Sequence, residues 1–194
     1  MNALFRLPPV PTRHKITRTE YHAMWAAGVF PPEMELELID GELIEMPADG
    51  YRTIDWNAII NQWLVRALDE RYLVVPDKSL AVSEVSEPKP DIWVFDAAIK
   101  TAEVTAADTL LVIEVSDSTL RADLKKAEIY AGGGVRDYWV MDVEKRQALV
   151  HRLRPEGGYG APQVFTAQER IAALLLPGLS FRIADHPRLN ALQD

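Results

Sequence analysis

The run from Leu110 to Ile113 leads directly into Glu114 and Val115, and it constrains the fold more than any other segment. The run is almost entirely apolar and rich in β-branched residues, which is typical of a central strand buried on both faces. Such a strand needs neighbouring strands and helices packed over the sheet. A carboxylate at its end is costly unless it is paired or bound to a metal ion, so Glu114 is a candidate functional residue.

Signals on both sides of this run predict a mixed α/β sheet with helices packed on it. The clearest helix covers about residues 55–68, where apolar residues recur at helical spacing, and a second helix is expected over 121–131. The order is therefore a helix, a run of strands, a helix and a strand, followed by more strands. The strands are predicted at 71–76, 78–87, 91–95, 110–115 and 137–142, then near 148–153, 163–165 and 179–183.

The first third of the chain carries two strong local signals. Thr17 and Glu20 match a capping box and predict a short helix that ends near Gly28. Asp40-Gly41 lies between two alternating runs and predicts a β-hairpin. Residues 1–16 contain three prolines and read as an extended arm, and residues 17–194 are expected to form a single domain, which suits a chain of 194 residues.

Composition excludes several classes of function. The chain has no cysteine, which rules out a disulfide framework or a thiol nucleophile, and its four histidines lack ligand-like spacing. No stretch approaches the length of a membrane span and the first residues lack an apolar signal core, so we expect a cytoplasmic protein. The sequence also lacks a nucleophile elbow, a phosphate-binding loop and a dinucleotide fingerprint.

The net charge of −8 argues against bulk electrostatic binding to nucleic acid, but it leaves room for a local basic patch. An acidic surface without such a partner remains the plainer interpretation. The candidate patch residues are Arg13, His14, Lys15, Arg18, Arg121, Lys125 and Lys126.

Asp91, Glu114 and a lysine on the following helix form the pattern that metal-dependent phosphodiester cleavage requires. Two carboxylates on neighbouring strands can hold Mg²⁺, and the lysine can orient water or steady the transition state. Each residue also has an ordinary interpretation. Asp91 could bond nearby backbone groups at a strand end, and Lys125 and Lys126 could lie on a solvated helix face. The two lysines point about 100° apart on a helix.

Several blocks together resemble the Uma-two family of restriction endonucleases, within the PD-(D/E)xK nuclease superfamily. The resemblance covers about residues 17–185, and the block from Glu114 to Asp142 is its most specific part. The matching segments are Glu37–Leu43, Pro90–Asp91, Glu114–Asp123, Lys126, Tyr130–Ala131, Gly134–Asp142 and Leu176–Leu179.

The resemblance implies a restriction-endonuclease-like core of a helix, three strands, a helix and a strand. It implies Asp91 and Glu114 as ligands of Mg²⁺ or Mn²⁺, DNA as the partner, and a homodimer by analogy with restriction enzymes. The superfamily lysine usually lies two residues after the glutamate, where this chain has Ser116. In this family the lysine has moved to the next helix, which indicates Lys126, with Lys125 as the alternative.

Further residues join the expected site as accessories. The Val115 carbonyl is expected to complete the metal shell, and Glu37 or Glu42 to supply another carboxylate, with Tyr130 nearby. The family often carries a histidine where this chain has Asp55-Trp56.

The sequence therefore predicts a metal-dependent endonuclease that hydrolyses phosphodiester bonds in DNA. The acidic charge and the missing histidine favour an alternative, a catalytically inactive nuclease-like fold that binds nucleic acid or protein. A third interpretation is an enzyme for a small phosphorylated substrate.

Overall fold

A computed structural model describes residues 12–117 and 120–191. Most of the predicted arm, part of the loop after Ser116 and the last three residues therefore lie outside the described residues. That residues 17–194 form one domain stays a prediction. Within the described ranges, no helix is both long and apolar enough to cross a membrane.

The helices and strands follow the predicted order. The helices are α1 (Arg18–Ala26), α2 (Tyr51–Ala67), α3 (Leu120–Gly132) and α4 (Pro187–Ala191), with short 3-10 turns at Thr101–Glu103, Ala106–Asp108 and Ile183–Asp185. The strands are β1 (Leu36–Ile39), β2 (Glu42–Glu45), β3 (Tyr72–Pro76), β4 (Ile92–Asp96), β5 (Thr109–Ser116), β6 (Asp137–Asp142), β7 (Gln147–Arg152), β8 (Gln163–Thr166), β9 (Ile171–Ala172) and β10 (Ser180–Phe181). The predicted core of helix, three strands, helix and strand is thus α2, β3–β5, α3 and β6, which confirms the predicted fold class.

Strands β3 to β8 form one six-stranded sheet in sequential order. Strands β5 and β6 pair in parallel, and the other neighbours pair antiparallel. A parallel pair needs a crossover connection, and α3 supplies it between β5 and β6. The sheet is therefore mixed, and the predicted buried strand β5 lies in its interior.

Hydrophobic clusters cover both faces of the sheet. On one face Ile113 and Val115 of β5 pack in a cluster with Trp56 and Ile60 of α2. On the other face Val112 belongs to a cluster that contains Tyr130 of α3. Because side chains alternate along a strand, Glu114 faces the α3 side together with Val112.

The N-terminal signals are confirmed in detail. Thr17 and Glu20 form both bonds of the capping box, and α1 ends before Gly28, whose φ of +69° is left-handed. Strands β1 and β2 pair so that Ile39 lies opposite Glu42. The two residues between them, Asp40 and Gly41, have φ values of +50° and +80°, which is the type I′ geometry that an Asp-Gly hairpin favours.

The structure differs from the predicted elements in several places, among them a predicted strand that is a loop, a helix start and a short additional strand. Residues 78–87 were predicted as a strand, but they form a loop with only isolated bridges, such as Leu38 to Glu87. Helix α2 begins one turn before the predicted residue 55, because exposed Tyr51 and Ile54 add nothing to the apolar stripe that marks the helix. The two-residue strand β9 was not predicted, since it is too short to show an alternating pattern.

Candidate active site

The two predicted acids lie side by side where β4 begins and β5 ends. The antiparallel register pairs Ile92 with Ile113, which brings the preceding Asp91 beside Glu114. The backbone N–H of Asp91 donates to Glu114 Oε2 at 3.3 Å. The sheet thus brings together two carboxylates that are 23 residues apart in the chain.

Lys126 joins these acids from α3. Its Nζ donates to Glu37 Oε1 at 2.9 Å and to Glu114 Oε1 at 3.2 Å, and it lies 3.5 Å from Asp123 Oδ1. The Lys126 side chain is only 6% exposed. Lys125 is exposed, because the neighbouring position on the helix points away from the sheet. The structure therefore places Lys126, and not Lys125, among the acids.

Glu37 enters the same cluster from the β1–β2 hairpin. Its side chain is 4% exposed, and its Oε2 is buried with no hydrogen-bond partner among the described residues. A buried carboxylate oxygen without a donor is costly, so this atom is suited to a cation or a donor that joins the site. Glu42, the other predicted accessory carboxylate, is 70% exposed, lies 4.0 Å from Arg13 and does not line the cavity.

Hydrogen bonds fix the orientation of both central carboxylates. Asn57 on α2 donates from Nδ2 to Asp91 Oδ1 at 2.8 Å, and the Val115 N–H donates to Asp91 Oδ2 at 2.6 Å. Tyr130 donates from its hydroxyl to Glu114 Oε1 at 2.9 Å. A carboxylate has about four lone-pair positions, so both acids keep acceptor capacity for a ligand.

Two residues of this network were not among the predicted site residues. Asn57 has no sequence signal, because a polar residue on a helix next to an apolar stripe is ordinary. Asp123 lies three residues before Lys126, which places the two on one helix face. Asp123 accepts a 2.6 Å bond from Ser116 Oγ, and Ser116 is the position where the superfamily usually has its lysine.

Burial and like charge act on the proton affinity of the cluster. Burial raises the pKa of Asp91 to about 6, against the opposing bonds from Val115 and Asn57. Burial also raises the pKa of Glu114 well above its usual value, although Lys126 opposes the shift. For Lys126, burial favours the neutral amine, but Glu114, Glu37 and Asp123 outweigh it and raise its pKa. Lys126 therefore stays protonated, while Asp91 and Glu114 hold protons more tightly than usual.

The cluster forms one wall of a polar cavity of about 460 Å³. Seven of its lining residues are carboxylates and three are lysines. Three of the carboxylates, Glu37, Glu114 and Asp123, surround the Lys126 ammonium. The segment that follows the hairpin, residues 46–49, also lines the cavity, and it includes Asp49, whose pKa is raised by burial and by nearby Asp77. The excess of negative charge in a concave site attracts a cation.

No group of three or more histidine, cysteine, aspartate or glutamate side chains is arranged as a ready metal centre within residues 12–117 and 120–191. A magnesium site does not need such a group. Mg²⁺ keeps several waters and is usually held by one or two carboxylates together with substrate phosphates. The oxygen donors of Asp91 and Glu114 fit that ion.

Asp55 and the basic residues near the N-terminus, which the sequence analysis also singled out, lie outside the cavity. Asp55, where the family often has histidine, pairs with Arg188 at 2.8 Å and does not line the cavity, whereas Asn57 contacts Asp91. The predicted N-terminal basic patch is paired with acids throughout. Its pairs are Arg13 with Glu42, His14 with Glu20, Lys15 with Asp40 and Arg18 with Glu87.

Comparison with known proteins agrees with this fold. The crystal structure of a putative nuclease belonging to DUF820 from Anabaena variabilis superposes with a TM-score of 0.67. It is 18% identical in sequence, and the match covers 88% of this chain and 96% of that one. At this identity the similarity shows the fold alone. No curated protein matches the chain.

The sequence profile of the Uma2 family, described as "Putative restriction endonuclease", matches residues 18–184. The matched segment includes the hairpin, both acidic strand ends and the lysine-bearing helix. Since the match spans most of the 194 residues, the chain belongs to the Uma2 family.

Proposed function

We propose that this protein is a metal-dependent endonuclease that hydrolyses phosphodiester bonds in DNA, with Mg²⁺ or Mn²⁺ held by Asp91 and Glu114. The observation that carries the proposal is the buried contact of Lys126 with Glu114, at the strand end beside Asp91. Family membership supports a nuclease, and the oxygen-only donor set supports a hard cation.

The side chains divide the work in the proposed reaction. Asp91 and Glu114 would hold the cation, with the Val115 carbonyl as a further oxygen ligand. When bound, the ion supplies charge stabilisation at the phosphate and a lower pKa for water. Glu37 Oε2, which has no hydrogen-bond partner among the described residues, can accept a hydrogen bond or contact the cation.

Lys126 acts as a donor and a positive charge in this proposal, not as a base. Three carboxylates keep its pKa raised, so Nζ retains its protons at neutral pH. A protonated Nζ can donate to a phosphate oxygen or fix the attacking water. Preorganised donors of this kind stabilise charge that develops in the transition state.

The test is cleavage of DNA with Mg²⁺ or Mn²⁺, with supercoiled plasmid and single-stranded circular DNA as parallel substrates. Asp91→Asn and Glu114→Gln should each reduce the rate at least about a hundredfold, because each removes a charged ligand oxygen. Glu42→Gln is the matched control, since this exposed carboxylate does not line the cavity, and it should cleave like the wild type.

Circular dichroism should show that all three variants remain folded. Wild-type rates in either cavity variant would refute the assignment. A wild-type protein that neither cleaves DNA nor binds Mn²⁺ in calorimetry would favour the inactive binding module.

A further inference from the structure

A second groove opens directly from the acidic cavity. It has a volume of about 540 Å³ and runs along α1 and the segment before β1. The groove and the cavity share five lining residues, Glu35, Leu36, Asp77, Lys78 and Lys89. A chain-like ligand that enters the cavity can therefore continue into the groove without leaving the surface.

An aromatic platform forms one side of this groove. Trp25 is partly exposed, and it is flanked by Tyr21 at 6.3 Å and Phe30 at 5.1 Å between ring centroids. Both of these rings meet the indole edge-on, at 78° and 62°, so neither covers it by stacking. Pro32 and Met34 extend the apolar surface. A planar aromatic ligand can thus stack on Trp25.

The α1 side of the groove is rigidly supported. Tyr21 is buried and donates from its hydroxyl to the Leu36 carbonyl at 2.9 Å, which ties α1 to β1. Glu87 accepts bonds from Arg18 at 2.7 Å and from His22 at 2.9 Å. These contacts anchor α1, the helix that carries Trp25. The guanidinium of Arg18 also offsets the charge of Glu87.

The charges along the groove are nearly balanced. Lys89 pairs with Glu35 at 2.7 Å, and Glu87 is paired as described above. Lys78 is exposed at the junction with the cavity, and in the described part of the chain its ammonium lies within 4.0 Å of no carboxylate. Asp77, which also lines the groove, has no salt-bridge partner in the described part of the chain either. Among the described residues, the groove therefore offers one unpaired ammonium next to an aromatic surface, and no net positive charge.

We propose that this groove binds an unpaired polynucleotide strand that continues from the catalytic cavity, with a base stacked on Trp25 and a backbone phosphate at Lys78. The inference rests on the proposed nuclease function and specifies its substrate as single-stranded. Stacking on aromatic side chains is the usual means of binding single strands, whereas the bases of a duplex are already stacked on one another. Low net positive charge limits phosphate contacts with either form, and a duplex has no unpaired base that could stack on Trp25 in compensation.

The test measures binding apart from cleavage. Fluorescence anisotropy, without divalent metal, compares a labelled single-stranded DNA of about 12 nucleotides with the same sequence as RNA and as duplex DNA. The wild type should bind the single strands more tightly than the duplex. The affinities for the single-stranded DNA and the single-stranded RNA show whether the groove prefers deoxyribose or ribose.

Variants then locate the contact. Trp25→Leu should weaken single-strand binding about tenfold, as expected for one lost stacked base, whereas Trp25→Phe should bind nearly as the wild type does. Tyr51→Ala is the control, because Tyr51 is 90% exposed and lies outside the groove. Lys78→Met leaves the aromatic packing intact. It should reduce the slope of log affinity against log salt concentration by the amount expected for about one phosphate contact.

Equal affinity of Trp25→Leu and the wild type, or tighter binding of duplex than of single strands, would overturn the proposal. The same holds for Lys78→Met with an unchanged salt dependence. If the single strands bind as proposed while no metal supports cleavage, the groove assignment stands and the nuclease proposal fails. If plasmid is cut while Trp25→Leu binds normally, the nuclease proposal stands and the groove assignment fails.

Discussion

Binding of a divalent cation to the acidic cavity should weaken as the pH falls from 7 to 5. Burial raises the pKa of Asp91 to about 6, whereas bonds from Val115 and Asn57 favour its charged form. A carboxylate must lose its proton before it can ligate a metal ion. With a single group that titrates at about 6, the apparent affinity should be about tenfold weaker at pH 5 than at pH 7.

Glu114 can only strengthen the expected loss of metal affinity at low pH. Burial raises its pKa well above the usual value, so cation binding must also displace any proton that Glu114 holds. Any proton that Glu114 releases adds to the effect of Asp91, so tenfold is the lower bound of the loss in affinity.

The assay is titration calorimetry with Mn²⁺ at pH 5, 6 and 7, in pairs of buffers with different ionisation enthalpies. At pH 6 the buffer dependence should report at least about half a proton released per ion, from Asp91 alone. Asp91→Asn should bind weakly and lose this part of the pH dependence, while Glu42→Gln should match the wild type. An affinity that is constant from pH 5 to 7, with no proton release, would refute the reasoning.

Three further predictions concern stability and the support of the site. Because the folded-state pKa of Asp91 is raised from 3.8 to about 6, the metal-free protein should lose about 3 kcal/mol of stability as the pH rises from about 3 to about 7. Urea unfolding should show this loss in the wild type but not in Asp91→Asn, and equal pH profiles would contradict it. Asn57→Ala should weaken Mn²⁺ binding about tenfold through loss of its bond to Asp91, whereas exposed Gln62→Ala on the same helix should not. Equal affinities for these two variants would show that Asn57 is dispensable. Gly41→Ala should lower the free energy of unfolding by at least about 1 kcal/mol, because Gly41 has a φ of +80° and an added Cβ would lie 2.5 Å from the Lys15 Cβ. An unchanged urea midpoint would mean that the hairpin turn tolerates a different geometry.

The parts of the fold that are set by short-range chemistry could be predicted from the sequence. Asp40-Gly41 fixes its own turn type, and the capping box at Thr17 needs only residues within one helical turn. The strand β5 was recognisable because burial on both faces requires an unbroken apolar run. In each case the determining residues are neighbours in the chain.

Residues 78–87 show where local reasoning fails. Their composition suits a strand, but their backbone groups bond to other parts of the N-terminal region. The Val85 carbonyl accepts from the Gly41 N–H, and the Glu84 carbonyl accepts from the Arg18 N–H. Since these partners are distant in sequence, no local pattern shows that the segment supports the hairpin and α1 instead of joining the sheet.

The lysine and its surroundings also depend on packing. Sequence left Lys125 and Lys126 as alternatives, because helical spacing gives an angle between them but not which one faces the sheet. The docking of α3 on the sheet decides in favour of burying Lys126. Asn57 could not be predicted, since its partner Asp91 is 34 residues away and its helix gives no hint of that contact.

The 89-residue separation between Lys126 and Glu37 has a consequence for how the protein is made. During synthesis the hairpin that carries Glu37 emerges long before α3. Glu37 therefore lacks the ammonium that pairs with it until Lys126 has been synthesised. Contacts between such distant segments form late, since loop closure must be completed first. A mispacked α3 would leave buried Glu37 and Glu114 without the Lys126 ammonium, at a cost of about 3–5 kcal/mol for a broken buried pair. Lys126 thus connects the hairpin, the sheet and α3, and a chain in which α3 is mispacked would lack the complete candidate site.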